Sequence, residues 1–212
     1  MKNLSPIVLF VYNRLEHTKR TVGALKKNKL AKESQLYIFS DAPKNDEAVP
    51  MVKQVRKFIK KVDGFKKVEI IERNKNFGLA NSIITGVTEV INKHGKVIVL
   101  EDDIVTSPAF LVYINRLLEV YKNNKKIYAI TGYNQPSRIM KIPKDYPYDV
   151  YFHPRAASWS WGTWKDRWNK ADWEVKDFEK FSWKCFPSNA SKENVEMLIT
   201  FVTIHNLEVR IS

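Results

Sequence analysis

The 212-residue sequence predicts an α/β protein: a mainly parallel sheet flanked by helices, followed by a Trp-rich C-terminal part. Three observations carry this. Short, continuously apolar runs rich in β-branched and aromatic residues read as strands buried on both faces, as in a parallel sheet. Between them, apolar residues recur at spacings of three and four, the signature of one helical face. The alternation of the two patterns over the first ~130 residues implies βαβ units with right-handed crossovers. Beyond that point the composition shifts, and all six tryptophans fall from Trp159 onward.

The elements follow in order. Ile7 to Tyr12 is the first strand, and Leu15, Thr18, Val22 and Leu25 mark the helix after it. Leu36 to Phe39 is the second strand, followed by a helix on Val52, Val55, Ile59 and Val62. Val68 to Ile71 is the third, with Leu79, Ile83, Val87 and Val90 on the next helix. Val97 to Leu100 is the fourth, and Leu111, Ile114, Leu118 and Tyr121 form the face of a fourth helix, with Ser107 as N-cap and Pro108 at its first position. Ile127 to Thr131 is a fifth strand. A boundary is expected near residue 135, dividing an α/β half (1–135) from a C-terminal subdomain (136–212).

Apolar residues make up 44% and charged residues 28% of the chain, ordinary values for a globular protein. Thirty-six Lys and Arg against 23 Asp and Glu give a formal charge of +13, which favours anionic partners. The lysines come in scattered pairs such as Lys26-Lys27 and Lys60-Lys61, a pattern of a solvated basic surface rather than a nucleic-acid arm. One cysteine, Cys185, excludes an internal disulfide and suggests a reducing compartment. The run at Ile7 is far shorter than the ~20 apolar residues of a membrane span. A cytoplasmic protein, with at most peripheral contact at the inner membrane face, is expected.

Ligands of parallel sheets sit at the carboxyl ends of the strands, which directs attention to four segments. Glu101-Asp102-Asp103 follows the fourth strand directly, and clustered carboxylates are costly unless solvent or a cation neutralises them. A hard divalent ion bridging phosphate oxygens would do so; an acidic turn feeding the next helix is the other reading. Asp41 ends the second strand, either as acceptor for a base or ribose group or as a turn residue before Pro43. Asn74 to Ser82 is a polar, Gly-containing loop entering a helix, suited to a nucleotide or phosphate. No Walker loop or Gly-x-Gly-x-x-Gly occurs, which weighs against P-loop and dinucleotide-binding proteins. In Ser158 to Trp168 the tryptophans either pack a core or offer flat faces to a sugar, with Trp161 and Trp164 around Gly162 the expected ligand-facing pair.

Together, Pro6 to Arg14, Phe39-Ser40-Asp41, Asn76-Phe77-Gly78-Leu79, Val99 to Asp103 and Trp161-Gly162-Thr163-Trp164 resemble a GT-A glycosyltransferase of bacterial type, with a more distant similarity to the N-acetylglucosaminyltransferase I group. The resemblance implies nucleotide-binding roles for Tyr12, Asn13, Arg14, Asp41, Asn76, Gly78, Glu101 and Asp102. It likens Glu101-Asp102-Asp103 to the DXD motif, with Asp103 binding Mn2+ or Mg2+, and gives Trp161, Gly162 and Trp164 to the sugar and acceptor pocket. It implies inverting transfer of a hexosyl or N-acetylhexosaminyl group from a nucleotide-diphosphate sugar, UDP-linked for preference, to a glycan or lipid-linked acceptor, as in polysaccharide biosynthesis. The catalytic base it suggests is Glu193, with Glu196, Asp166 and Asp172 as rivals. Similar proteins continue past Ile211-Ser212, so a truncated or divergent end is expected. The alternatives are a degenerate nucleotide-binding protein of the same fold and a basic nucleic-acid-binding domain. The missing Gly-rich, Arg-containing loop after the first strand weighs against a nucleotidyltransferase.

Overall fold

The computed structural model describes residues 3–136, 138–153, 157–174, 200–204 and 210–211. The first strand, β1 (Ile7–Val11), leads into α1 (Leu15–Lys26), β2 (Gln35–Ser40) into α2 (Val49–Ile59), and β3 (Lys67–Glu72) into α3 (Gly78–His94). Next come β4 (Lys96–Glu101), the short β5 (Ile104–Val105), α4 (Phe110–Val120) and β6 (Ile127–Thr131). The later elements are β7 (Val150–His153), β8 (Trp161–Trp164), α5 (Lys165–Trp168), β9 (Thr200–Ile204) and β10 (Arg210–Ile211).

Among the described residues, eight strands form one sheet in the order β3-β2-β1-β4-β8-β6-β9-β7. The pairs β1–β2, β2–β3 and β1–β4 are parallel, while β8 runs antiparallel to both β4 and β6. Strands from both sides of residue 135 therefore share the sheet, with β8 inserted between β4 and β6. A separate antiparallel pair joins β10 to β5.

The apolar strands read as they do because both faces are covered. Ile7, Leu9, Val11, Leu36, Ile38, Ile98 and Leu100 pack under α1, α2 and α4, through Val22, Leu25, Val55, Ile59, Leu111 and Ile114. The alternate residues Val8, Phe10, Tyr37, Phe39, Val97 and Val99 pack under α3, through Val87, Val90 and Ile91. Period-two alternation sends neighbours to opposite faces, so a strand between two helical layers is apolar at every position.

The start of α4 differs from expectation. The helix begins at Phe110, two positions after Pro108, and its N-cap position is Ala109 without a side-chain bond. Ser107 does not cap it: its hydroxyl is buried without a hydrogen-bond partner, and only its carbonyl turns back, accepting from the Phe110 N–H at 3.1 Å. The orphan N–H of Leu111 is met instead by Asn28 Oδ1 at 2.9 Å, a long-range cap that no local pattern signals. Val62, expected on the face of α2, lies beyond its end.

Candidate active site

In the sheet order, β1 is flanked on one side by β2 and on the other by β4, so successive connections leave in opposite directions from this point. That reversal opens a crevice at the carboxyl ends of β1 and β4. A cavity of about 320 Å³ occupies it. Tyr12, Asn13, Arg14, Asp41, Asn76, Gly78, Glu101 and Asp102, all named from the sequence, line it together. Phe10, Val11, Phe39, Lys44 and Leu79 also line it without having been assigned a role, as does Ser82, the end of the polar loop expected to meet a nucleotide. For the two phenylalanines the signal was present in strand parity, since they lie two residues before Tyr12 and Asp41 and so face the same side.

Asp41 holds the cavity's wall. Its carboxylate accepts from the N–H of Phe77 at 3.0 Å and of Gly78 at 3.0 Å, and from its neighbour Ala42 at 2.9 Å. Two of these are orphan donors at the first turn of α3, whose positive end suits a negative charge. The Asn76 amide donates to Ala42 O at 2.6 Å and ties the same two loops. Gly78 has φ +70, the left-handed region in which a side chain is strained, and this lets the loop turn into α3. Tyr12 extends across the mouth, its hydroxyl accepting from the Lys44 N–H at 2.9 Å.

The acidic triplet divides between the two faces. Glu101 continues the parity of Val97 and Val99 and opens on the α3 side, into the cavity. Asp102 is 3% exposed, and its backbone carbonyl accepts from Thr21 Oγ1 at 2.8 Å. Arg14 forms an ion pair with Asp102 and reaches Asp103 Oδ2 at 3.2 Å. Burial pushes the Asp102 carboxyl up from its ordinary range, against the pull of Arg14. Burial also disfavours the Arg14 charge, but there the two carboxylates prevail and hold the guanidinium above its ordinary value. Desolvation dominates on the buried partner and the ion pair on the half-exposed one. The Glu101 carboxyl is pushed up by burial and by its two acidic neighbours.

Among the described residues, no group of three or more His, Cys, Asp or Glu side chains converges as a metal cage. The fit for a divalent ion rests on Asp102 and Asp103, which a single cationic group, the Arg14 guanidinium, touches at once. Asp102 Oδ2 is buried without a hydrogen-bond partner, an acceptor that awaits a donor or cation. Two carboxylates completed by phosphate oxygens and water are a normal set for Mg2+ and other hard cations, so the residues fit.

The Trp-rich segment sits elsewhere. Trp164, expected at the ligand surface, is only 5% exposed, and its indole N–H donates to Leu118 O at 2.9 Å. Gly162 is buried within β8, where a Cβ would meet Val97 O at 3.0 Å. Trp161 pairs with Val99 and Thr131 and stacks on Trp168, with ring centroids 5.7 Å apart. Of the rival bases, Asp166 pairs with Lys125 and Arg167 away from the cavity, while Glu193 and Glu196 lie outside the described residues.

A crevice at the switch point of a mainly parallel sheet, with acids at the end of β4, defines the nucleotide-sugar-binding α/β architecture of GT-A glycosyltransferases. The chain belongs to Glycosyl transferase family 2, whose family model matches residues 7–183. No curated protein matches the sequence. Among solved structures it is similar to GalNAc-T7 with UDP, GalNAc and Mn2+, at TM-score 0.57 and 13% identity, covering 95% of this chain and 42% of that one. It is also similar to the mannosyltransferase PcManGT from Pyrobaculum calidifontis in complex with GDP-Man and Mn2+, at TM-score 0.46 and 11% identity, over 64% and 37% of the two chains. The third is S. aureus TarS 1-349, at TM-score 0.45 and 12% identity, over 66% and 40%. The chain spans less than half the length of each of these structures, and at 13% identity the likeness to GalNAc-T7 speaks to the fold alone.

Proposed function

We propose that this chain transfers a hexosyl or N-acetylhexosaminyl group from a nucleoside-diphosphate donor, UDP-linked for preference, to a hydroxyl of a glycan or lipid-linked acceptor, with inversion. The observation that carries the reading is the junction of three features in one crevice: the α3 N-terminus anchored on Asp41, the apolar faces of Phe10 and Phe39, and the Asp102 carboxylate, which Arg14 bridges to Asp103 beside the crevice. A flat base suits the aromatic wall, and a diphosphate suits Arg14. The fold similarity to a transferase solved with UDP and Mn2+ supports the same assignment.

Asp102 and Asp103 would hold a divalent ion, Mn2+ or Mg2+, which supplies charge neutralisation for the departing diphosphate. Arg14, freed from the carboxylates, would turn its donors to the phosphate oxygens. Glu193 remains our proposal for the base that takes the acceptor proton. The more specific likeness to the bacterial type and to the N-acetylglucosaminyltransferase I group rests on the order of motifs from Pro6 to Trp168. We place the activity at the cytoplasmic membrane face; among the described residues no helix is long and apolar enough to cross a membrane.

The deciding experiment is calorimetric titration with UDP, GDP, CDP and ADP, each with and without MnCl2, on the wild type and on Asp103→Ala. One nucleoside diphosphate should bind at least tenfold more tightly with Mn2+, and the substitution should remove that gain. Equal binding with and without Mn2+ for all four would overturn the assignment.

A further inference from the structure

Tyr133 and Trp159 stand at the reaction edge of the sheet and serve neither the cavity nor the core. Because β8 is antiparallel to both β4 and β6, these two strands run in the same direction and open on the same edge. Trp161 pairs with Val99 near the end of β4 and with Thr131 at the end of β6, so the residues just before it lie at that edge. Trp159 therefore lies at the sheet edge on which β4 ends with Glu101. Tyr133 follows Thr131 at the end of β6, and the two rings meet edge to face with centroids 4.4 Å apart at 69°.

The chain holds this pair in place at a cost. Ser160, between Trp159 and Trp161, has φ +51 and is the only non-glycine with positive φ among the described residues. It is fully buried, and its hydroxyl has no hydrogen-bond partner. A left-handed non-glycine residue is disfavoured by about 1–2 kcal/mol, and such strain concentrates where function requires a particular geometry. The Gly132 N–H donates to Ser160 O at 2.7 Å and locks the turn. A Cβ at Gly132 would lie 2.6 Å from the Phe110 ring and 2.7 Å from Ser160 Oγ, so only glycine permits the approach. The turn buries Ser160 and leaves Trp159 38% exposed, braced against Tyr133.

An exposed, braced indole at this edge asks for an occupant with an apolar face and polar edges. A protein partner would need a wider apolar surface, whereas the chain neighbours of this pair, Ser158 and Asn134, are polar. A pyranose ring has that character, with C–H groups on one face and hydroxyls around its rim. We propose that Trp159 and Tyr133 form the stacking platform for the acceptor's sugar ring, on the same sheet edge as the carboxylates that would hold the divalent ion. This rests on the donor-site reading above. In place of the buried Trp164, it assigns acceptor recognition to an aromatic pair that the Gly132–Ser160 lock presents.

Saturation-transfer NMR tests it on the full chain, using the methyl glycosides of β-glucose, α-mannose, β-galactose and β-N-acetylglucosamine as probes. At least one glycoside should receive saturation on its ring C–H protons from the wild type, undiminished by UDP with MnCl2. Trp159→Ala should weaken that binding about fivefold, as loss of one stacked ring of ~1 kcal/mol implies. Trp159→Tyr should retain most of it. Calorimetric binding of UDP with MnCl2, unchanged in each variant, shows that they fold and keep the donor site. No saturation of any glycoside, or an equal signal from Trp159→Ala, overturns the platform while leaving the nucleotide reading intact. Displacement of the glycoside by a UDP-sugar but not by UDP would assign the platform to the donor ring and overturn the acceptor proposal. Failure of nucleotide binding alone would count against the donor site and not against the platform.

Discussion

Glu101 and Asp102 are buried acids, and this sets opposite pH dependences for stability and for metal binding. Both groups have pKa values raised by desolvation in the folded chain. As pH falls from neutrality towards the ordinary carboxylate range, the folded state takes up these protons before the unfolded state does, so the uptake stabilises it. Their ionisation therefore opposes folding at neutral pH and ceases to do so once pH has dropped through the raised values. Exposed acids such as Asp63 and Glu119, lowered by their lysine partners, contribute the reverse slope, so the effect is read as a difference. The metal-free Glu101→Gln protein should melt above the wild type near pH 8 and lose that advantage towards about pH 5. Mn2+ affinity of the wild type should fall over the same window, as protons compete for the carboxylates. A melting gap that widens on acidification would contradict this. Eight cavity residues were legible in the sequence because each follows a strand end or opens a helix. That Trp159 is exposed and Trp164 buried was not, since composition marks an aromatic cluster but not which ring a left-handed Ser160 turns outward.

At the level of elements, helix position governs the cavity's shape. α3 lies close on β1 through Gly86, where a Cβ would come within 2.8 Å of the Phe10 ring. Phe10 also lines the cavity, so its ring couples helix packing to the base-binding wall. Gly86→Ala should cost about 1–3 kcal/mol by overpacking and should weaken nucleotide binding, because Phe10 yields into the open space. Thermal unfolding and calorimetry read the two effects; a destabilised variant with unchanged affinity would separate them. The end of α4 depends on Arg167, which is 2% exposed and stacks 4.1 Å over Trp164. It donates to the carbonyls of Lys122 at 2.8 Å, Asn124 at 3.0 Å, and Tyr121 and Ile127 at 3.3 Å. A lysine cannot reproduce that planar fork. Arg167→Lys should destabilise the chain by about 2–3 kcal/mol without altering nucleotide affinity, as urea unfolding and calorimetry would show. Periodicity located the first four helices and the strands between them, because each buries a continuous face. It missed the insertion of β8 between β4 and β6, since antiparallel pairing across more than 60 residues leaves no local trace.

Over the whole molecule, part of the charge of +13 sits at the edge opposite the site. Each helix of the parallel half runs back to the amino ends of the strands, and its last turn or the loop beyond carries lysine: Lys26 and Lys27 after α1, Lys60 and Lys61 after α2, Lys93 in α3, Lys122 and Lys125 after α4. Cations there complement the helix dipoles. Several are also paired, as Lys93 with Glu89 at 2.8 Å and Lys60 with Glu72 at 3.0 Å. Strands of five or six residues are ~17–20 Å long, about twice the screening length of ~8 Å at physiological salt. The field of this basic edge is therefore largely screened at the cavity, whose lining carries Lys44 and Arg14 and whose Asp41 has Arg56 and Arg73 beside it. Replacing the exposed Lys27, Lys32, Lys61 and Lys66 together by glutamine should leave affinity for the chosen nucleoside diphosphate within about twofold of wild type. Lys44→Ala alone should weaken it several-fold and flatten its dependence on NaCl, as removal of one cation from a phosphate site does. Calorimetry across a salt series measures both. If the quadruple variant lost as much affinity as Lys44→Ala, net charge rather than the crevice would control binding, and affinity for single-stranded RNA would become the next quantity to measure.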